Sequence, residues 1–95
     1  MEIDKSDMII SLAGHDRAQL FFVVETDETC VWIADGKSRR LEAPKRKNRK
    51  HVRKVPQTDS AVARKLRNGD PVLNSELRRE LAECGRKFMS QNQGG

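Results

Sequence analysis

Residues 20–34, with the sequence LFFVVETDETCVWIA, contain two short apolar runs separated by the polar segment Thr26-Asp27-Glu28. Both runs are rich in β-branched and aromatic side chains, which favour strands. Each run is about as long as a typical strand and too short for a typical helix. We therefore predict two neighbouring strands, at residues 18–25 and 29–34, joined by a tight connection.

The flanking sequence extends this pattern in both directions. An apolar run at residues 7–14 precedes a polar turn at residues 15–17, which predicts an earlier strand. On the other side, Asp35-Gly36 favours a tight hairpin turn because glycine adopts positive φ without steric cost. We therefore expect residues 37–42 to form a fourth strand, which Pro44 ends.

The next segment is dominated by charge. Residues 45–50 are expected to remain a solvated loop because their like charges repel one another. Residues 51–55 then offer enough apolar character for a short closing strand before Pro56. Turns that recur about every ten residues are typical of a small all-β barrel or sandwich.

Beyond residue 56 the pattern changes to helix. A short first helix is expected between a cap at Asp59 or Ser60 and a stop at Gly69. A second helix is expected after Asn74, a candidate N-cap, and its apolar face consists of Leu77, Leu81, Cys84 and Phe88. These helices form a predicted C-terminal extension at residues 57–89, and residues 90–95 are expected to be a disordered tail.

Positive charge is concentrated in one part of the chain. The 19 Lys and Arg against 14 Asp and Glu give a net charge of +5, and ten of the cations lie in residues 37–54 beside one acid, Glu42. The first 36 residues contain only Lys5 and Arg17. Such a concentration indicates a polyanionic partner, although a solvated charged loop is the alternative and charge alone does not distinguish RNA from DNA.

The cations of this run are the main candidates for binding RNA. Arg binds phosphate through two parallel hydrogen bonds or stacks on a base, whereas Lys contributes chiefly a point charge. An asparagine and a histidine in the run can add hydrogen bonds to base edges or 2′-hydroxyls. The candidate residues are Lys37, Arg39, Arg40, Lys45, Arg46, Lys47, Asn48, Arg49, Lys50, His51, Arg53 and Lys54.

Aromatic side chains are scarce, and those present lie in apolar runs. Phe21, Phe22 and Trp32 are each expected to be core or half-buried packing rather than exposed stacking surfaces. Because neighbours on a strand point to opposite faces, one of the two Phe side chains is expected to pack under a C-terminal helix. The scarcity of exposed rings favours recognition of folded RNA over reading of extended strands.

Catalytic and metal-binding patterns are not evident. His15 and Asp16 are neighbours in a turn without a linked nucleophile, and the spacing of Cys30 and Cys84 matches no zinc site, so both cysteines are expected to be free thiols. We expect no enzyme activity, cofactor or small-molecule substrate. The first ten residues lack the features of a secretory signal and no run approaches transmembrane length, so we expect a cytoplasmic protein without a membrane partner.

Three segments together resemble a known family. Residues 8–19, MIISLAGHDRAQ, followed by FFVV at 21–24, resemble the KOW motif, in which an apolar strand reaches a glycine, turns over a polar loop and returns. IADGK at 33–37 and PKRKNRKHV at 44–52 resemble the bacterial KOW-domain relatives of the eukaryotic and archaeal large-subunit ribosomal protein of the fourteen-e type.

The resemblance implies an SH3-like five-stranded barrel at residues 1–56 and binding to RNA, typically ribosomal RNA. It places Gly14 at the motif's glycine and makes the following turn, with His15 and Arg17, a further RNA contact. One departure is that Ala18 stands where such motifs commonly have a second glycine. A positive φ would be costly for alanine, which puts the geometry of this turn in question.

The sequence therefore predicts a mainly β protein, a small KOW barrel with one or two C-terminal helices. It is expected to bind rRNA or another structured RNA, as a ribosome-associated or regulatory protein of translation, with a ribosomal protein as a further partner. The alternative is an adaptor of the transcription or translation machinery, which would dock the apolar face of its second helix in a groove on a partner.

Overall fold

The computed structural model describes residues 2–56 and 60–93, with side chains as far as Arg86. It contains five strands, β1 (Met8–Ser11), β2 (Leu20–Thr26), β3 (Cys30–Ala34), β4 (Lys45–Asn48) and β5 (Val52–Lys54). A 3-10 turn (Arg49–His51) joins β4 to β5, and two helices follow, α1 (Ala61–Asn68) and α2 (Asn74–Gln93). The prediction of a mainly β protein with one or two C-terminal helices is confirmed, and there are two.

The five strands form one antiparallel sheet in the order β4-β3-β2-β1-β5. Each of β1, β2 and β3 pairs with its neighbour in sequence, as expected for strands joined by short turns. The short strand β5 returns to pair with β1, where Ser11 lies opposite Val52. No ladder between β4 and β5 is found among the described residues, so the sheet is open at those two edges.

Both faces of the sheet are apolar. We call the first cluster the inner core, and its members are Ile3, Ile9, Phe21, Val23, Val31, Ile33 and Val52. The second, which we call the helix-side core, joins the opposite face to both helices and consists of Met8, Phe22, Ala34, Val62, Leu66, Leu77 and Leu81. The adjacent Phe21 and Phe22 are both fully buried, one in each cluster, which confirms that one Phe packs under the helices.

The ends of α1 follow from its sequence. The Ser60 hydroxyl accepts a hydrogen bond from the amide of Ala63 at 3.0 Å, as an N-cap does. Gly69 ends the helix in the left-handed region, with φ of 76°. Both were predicted, and Asp59, the other candidate cap, lies outside the described residues. Over its described residues, neither α1 nor α2 combines the length and apolar character needed to cross a bilayer.

The start of α2 differs from the prediction. Asn74 does not cap its own helix, because its side-chain oxygen accepts from the amide of Leu41 at 2.8 Å and its nitrogen donates to Glu42 at 2.6 Å. The carboxylate of Glu76 instead accepts from the amide of Leu73 at 3.0 Å, which satisfies a free donor at the helix start. The helix also continues to Gln93, beyond the predicted limit at residue 89.

The predicted fourth strand at residues 37–42 is wrong, since this segment is a loop. One Asp35 carboxylate oxygen accepts from the amides of Lys37 and Arg39, at 2.9 and 2.8 Å, and this side-chain turn competes with strand geometry. The fourth strand is Lys45–Asn48, within the segment expected to be a solvated loop. Like-charge repulsion does not prevent it, because side chains alternate between two faces and one face meets a buried acid.

Candidate nucleic-acid interface

The basic run is built into the sheet. We call residues 45–54, which comprise β4, the 3-10 turn and β5, the basic seam, because they link the two edge strands through only three residues. Its cations divide into two groups. Some hold the seam in place through internal contacts, and others project into solvent.

Lys47 belongs to the internal group. Its side chain is 8% exposed, and its ammonium lies 2.9 Å from an Asp16 carboxylate oxygen. It also donates to the Ser11 hydroxyl at 2.9 Å and to the carbonyl of Ala13 at 2.6 Å. All three donors of the ammonium are therefore used inside the protein. Lys47 was predicted to contact RNA, but it is not presented at the surface.

Asp16 is the centre of this buried network. Its second carboxylate oxygen has no hydrogen bond and lies 3.4 Å from the ammonium of Lys45. Burial acts to raise the pKa of Asp16, but hydrogen bonds from Lys47 and Ser11 and the charges of Lys47 and Lys45 outweigh it, which lowers the pKa to about 2. The carboxylate is therefore ionised and holds two of the seam's lysines. Sequence reasoning assigned it no role, although it is the one acid in residues 8–24.

Arg49 and Asn48 fix the 3-10 turn. The Arg49 guanidinium donates to the carbonyls of Asp27 and Ile3, both at 3.0 Å. The Asn48 side-chain oxygen accepts from the amide of Lys50 at 3.0 Å. Both residues were predicted to bind RNA, and in the structure these hydrogen bonds position the turn. The turn is consequently attached to the N-terminal segment and to the β2-β3 connection.

The remaining seam cations are displayed. The side chains of Arg46, Lys50, His51 and Arg53 are exposed and make no hydrogen bond or ion pair with the described part of the chain. Lys54 is intermediate, since its ammonium lies 3.4 Å from the Asp7 carboxylate. The seam thus presents three arginine or lysine charges and one imidazole from a backbone that other residues of the same run hold in place.

The loop at residues 36–43 is a second display of charge. Lys37 and Arg40 are exposed, and Arg39 is partly exposed. The loop is fixed to the start of α2, because Arg78 donates to the carbonyl of Gly36 at 2.6 Å. Gly36 has a φ of 77°, and a Cβ at this position would collide with the main-chain oxygen of Asn74. A glycine is therefore required for this approach.

The turn after β1 contains two residues with positive φ. Gly14 has a φ of 83°, and Ala18 adopts a φ of 69° despite its Cβ. The amide of Ala18 donates to the carbonyl of Ser11 at 2.8 Å, which closes the turn. His15 and Arg17 are exposed on this turn while Asp16 between them is buried. Ala18 thus adopts the positive φ that was expected to be costly for alanine.

A groove of about 810 Å³ brings the turn and the loop together. It lies between the helix side of β1 and β2 and the helix α2. Its lining residues are Ile10, Ala18, Gln19, Leu20, Asp35, Lys37, Arg78, Leu81, Ala82 and Gly85. Arg53 of the basic seam lies opposite Ile10 in the sheet, so the seam borders the same groove. The groove therefore adjoins the turn after β1, the loop at residues 36–43 and the basic seam, which together carry the predicted RNA-binding residues.

The described residues offer no candidate metal site. No group of three or more His, Cys, Asp or Glu side chains is placed to hold a metal ion within this part of the chain. Cys30 and Cys84 form no disulfide with each other, and both are partly buried.

A scan of the sequence against models of protein families finds no match, and a search of curated proteins finds no significant match.

Proposed function

We propose that this protein binds structured RNA through its basic seam, as a cytoplasmic KOW-type module with ribosomal RNA as the first candidate. The observation that carries the proposal is that some cations of the basic seam make internal contacts and others are exposed. Lys47 and Arg49 fix the backbone, whereas the side chains of Arg46, Lys50 and Arg53 are exposed and have no partner among the described residues. Because the backbone that carries these cations is already ordered, binding to phosphates costs side-chain entropy but little backbone entropy, which favours binding.

The SH3-like barrel is part of this proposal. A link of only three residues between β4 and β5 requires the two edges of the sheet to approach each other, as in a rolled sheet. The side chain of Lys47, on the edge strand β4, reaches Ser11 on β1, although β3 and β2 lie between these two strands in the sheet order. Both features support a curved, barrel-like arrangement around the inner core.

Part of the apolar face that the adaptor alternative would use is buried, and Phe88 of that face lies beyond the described side chains. Leu77 is fully buried and Leu81 is 8% exposed, since both pack in the helix-side core. A helix that inserts into a partner needs these side chains free. The charge of the seam therefore supports a polyanion more strongly than the helix supports a protein groove.

Two double variants, one in the basic seam and one control on α2, test the proposal. Arg46→Gln with Arg53→Gln removes two displayed seam charges, and Arg79→Gln with Arg86→Gln removes two exposed charges from α2. Binding of a labelled ribosomal RNA fragment would be measured by fluorescence anisotropy for both double variants at one salt concentration. We expect the seam variant to lose at least about tenfold in affinity and the α2 variant to lose little.

Equal losses in the two variants would indicate attraction by net charge and would overturn the seam assignment. Competition with duplex DNA of equal length separates the polymers, because a protein specific for RNA should be displaced only at a large excess of DNA. Crosslinking in cells followed by sequencing of the attached RNA then identifies the natural target.

A further inference from the structure

Trp32 is the single tryptophan of the chain, and it is only partly buried. It belongs to neither the inner core nor the helix-side core, although it lies in the middle of β3. Phe21 and Phe22 on the neighbouring strand are both fully buried. Part of the indole ring is therefore accessible to solvent, and partly accessible Trp side chains are enriched at binding interfaces.

The strand register shows where this ring lies. Trp32 is directly opposite Arg46 of β4, and Cys30 is directly opposite Asn48. Opposed residues of an antiparallel pair share one face, with Cβ atoms about 5 Å apart. Ala34, two residues further along β3, is on the same face and is covered by the helices. The ring therefore lies where the helix cover ends, beside a displayed arginine of the basic seam.

The polar groups around the ring are arranged unequally. On the β4 side are the exposed Arg46 and the side-chain amide of Asn48, whose oxygen is used by the turn and whose nitrogen can donate. On the β2 side is Glu25, which lies opposite Trp32 and whose carboxylate accepts from the amide of Thr26 at 3.1 Å. A polyanion that approaches the ring is therefore attracted on the β4 side and repelled on the β2 side.

We propose that Trp32 stacks on an unpaired base of the bound RNA while Arg46 binds the adjacent phosphate. This inference rests on the proposed RNA binding and deepens it, since it assigns single-stranded loops or bulges as the preferred element of a folded RNA. Aromatic rings stack on any base, and an arginine beside the ring neutralises the backbone that carries the base. Asn48 adds a donor at the base edge.

The intrinsic fluorescence of Trp32 provides a direct test, because the chain has no other tryptophan and no tyrosine. Two probes of equal charge would be compared with the full chain: an RNA hairpin with a six-adenosine loop, and a fully paired RNA duplex. Anisotropy of labelled RNA measures binding, and tryptophan emission measures stacking. We expect strong quenching on binding of the loop RNA and little quenching with the duplex.

Two substitutions extend the test. Trp32→Phe keeps a stacking ring and should bind the loop RNA within about threefold of the wild type, whereas Trp32→Leu should lose roughly 5- to 100-fold for the loop RNA only. Circular dichroism melts report the fold of each variant. If Trp32→Leu does not fold, the quenching of the wild-type protein and the affinity of Trp32→Phe decide the question.

The possible results separate the two proposals. Binding of both RNAs without quenching would overturn the stacking of Trp32 and would leave RNA binding intact. Equal affinity of Trp32→Leu and wild type for the loop RNA would overturn it as well. Failure of the wild-type protein to bind either RNA would overturn the proposed function itself.

Discussion

The carboxylate of Asp16 links the pH of the solution to the stability of the fold. Its pKa is lowered from 3.8 to about 2 in the folded protein. A group with a depressed folded pKa contributes stability above its unfolded pKa, and this stability is lost as the pH falls towards the folded pKa. We expect the free energy of unfolding to decrease by about 2 kcal/mol between pH 4 and pH 2 on account of this residue.

Chemical denaturation at a series of pH values measures this effect. Asp16→Asn removes the titrating group, so its pH dependence between 4 and 2 should be flatter than that of the wild type. An exposed acid such as Glu28, replaced by Gln, serves as the control and should leave the slope nearly unchanged. Parallel profiles for Asp16→Asn and the wild type would contradict the role given to Asp16.

Lys47 and Lys50 lie three residues apart, but we expect their replacement to have very different effects on the stability of the protein. Lys47→Met leaves the Asp16 charge buried beside Lys45 alone, and loss of one partner from a buried ion pair costs roughly 3 kcal/mol. Lys50→Met changes an exposed side chain, and surface substitutions are usually within about 0.5 kcal/mol of neutral. Urea denaturation of both variants gives the comparison, and equal stabilities would show that the buried network is not important for folding.

Ala18 adopts a backbone conformation that glycine tolerates better. Its φ of 69° lies in the left-handed region, where a Cβ costs roughly 1–2 kcal/mol. The greater conformational freedom of glycine in the unfolded chain offsets part of this gain. We expect Ala18→Gly to stabilise the protein by about 0.5–1 kcal/mol. Ala43→Gly, at an exposed alanine outside the positive-φ positions, should destabilise it. Thermal melts of the two variants test the difference in sign.

At the scale of elements, the loop at residues 36–43 depends on a close approach to α2. Gly36 and Gly69 have nearly equal φ values of 77° and 76°, so Ala at either position meets the same backbone cost. Only at Gly36 would the Cβ also collide with the main chain of Asn74, since nothing lies within 4 Å of a Cβ at Gly69. We expect Gly69→Ala to cost about 1 kcal/mol and Gly36→Ala clearly more.

Differential scanning calorimetry of the two glycine variants separates the shared backbone cost from the contact between loop and helix. Equal melting temperatures would show that the loop moves away from α2 without penalty. Because Leu41 packs against the helix-side core and its amide is bound by Asn74, we expect that such movement is opposed.

The elements that the sequence predicted well are those governed by local chemistry. Apolar runs between turn residues located β1, β2 and β3, and Ser60 and Gly69 located the ends of α1. The fourth strand was misplaced because its pairing depends on Asp16, which is distant in sequence and neutralises Lys45 and Lys47 only in the folded state. For the same reason, the charge pattern alone did not separate the internal cations of the seam from the displayed ones.

At the scale of the whole molecule, the sheet and the helices share the helix-side core. The helix-side core combines Met8, Phe22 and Ala34 of the sheet with side chains from both helices. The segments 1–56 and 57–89, which the sequence suggests as a barrel and an extension, therefore bury apolar surface against each other. A small sheet with two apolar faces needs such a cover, because a domain of this size buries a limited fraction of its surface.

The displayed cations also determine how RNA binding responds to salt. Each phosphate neutralised contributes about −0.7 to −0.9 to the slope of log affinity against log salt concentration. Replacing Arg46, Lys50 and Arg53 together with Gln should therefore reduce the magnitude of the slope by roughly 2 to 3. Lys47 and Arg49, which are used internally, remain in this variant and keep the seam folded.

Titrations of one structured RNA at four salt concentrations would give the slopes of the wild type and the triple variant. The control with Arg79→Gln and Arg86→Gln loses two exposed charges from α2 and should keep the wild-type slope. A smaller slope in both proteins would indicate that the whole charged surface attracts RNA without a defined site. A change confined to the triple variant assigns these phosphate contacts to Arg46, Lys50 and Arg53 of the basic seam, because the α2 control loses exposed charge without a change in slope.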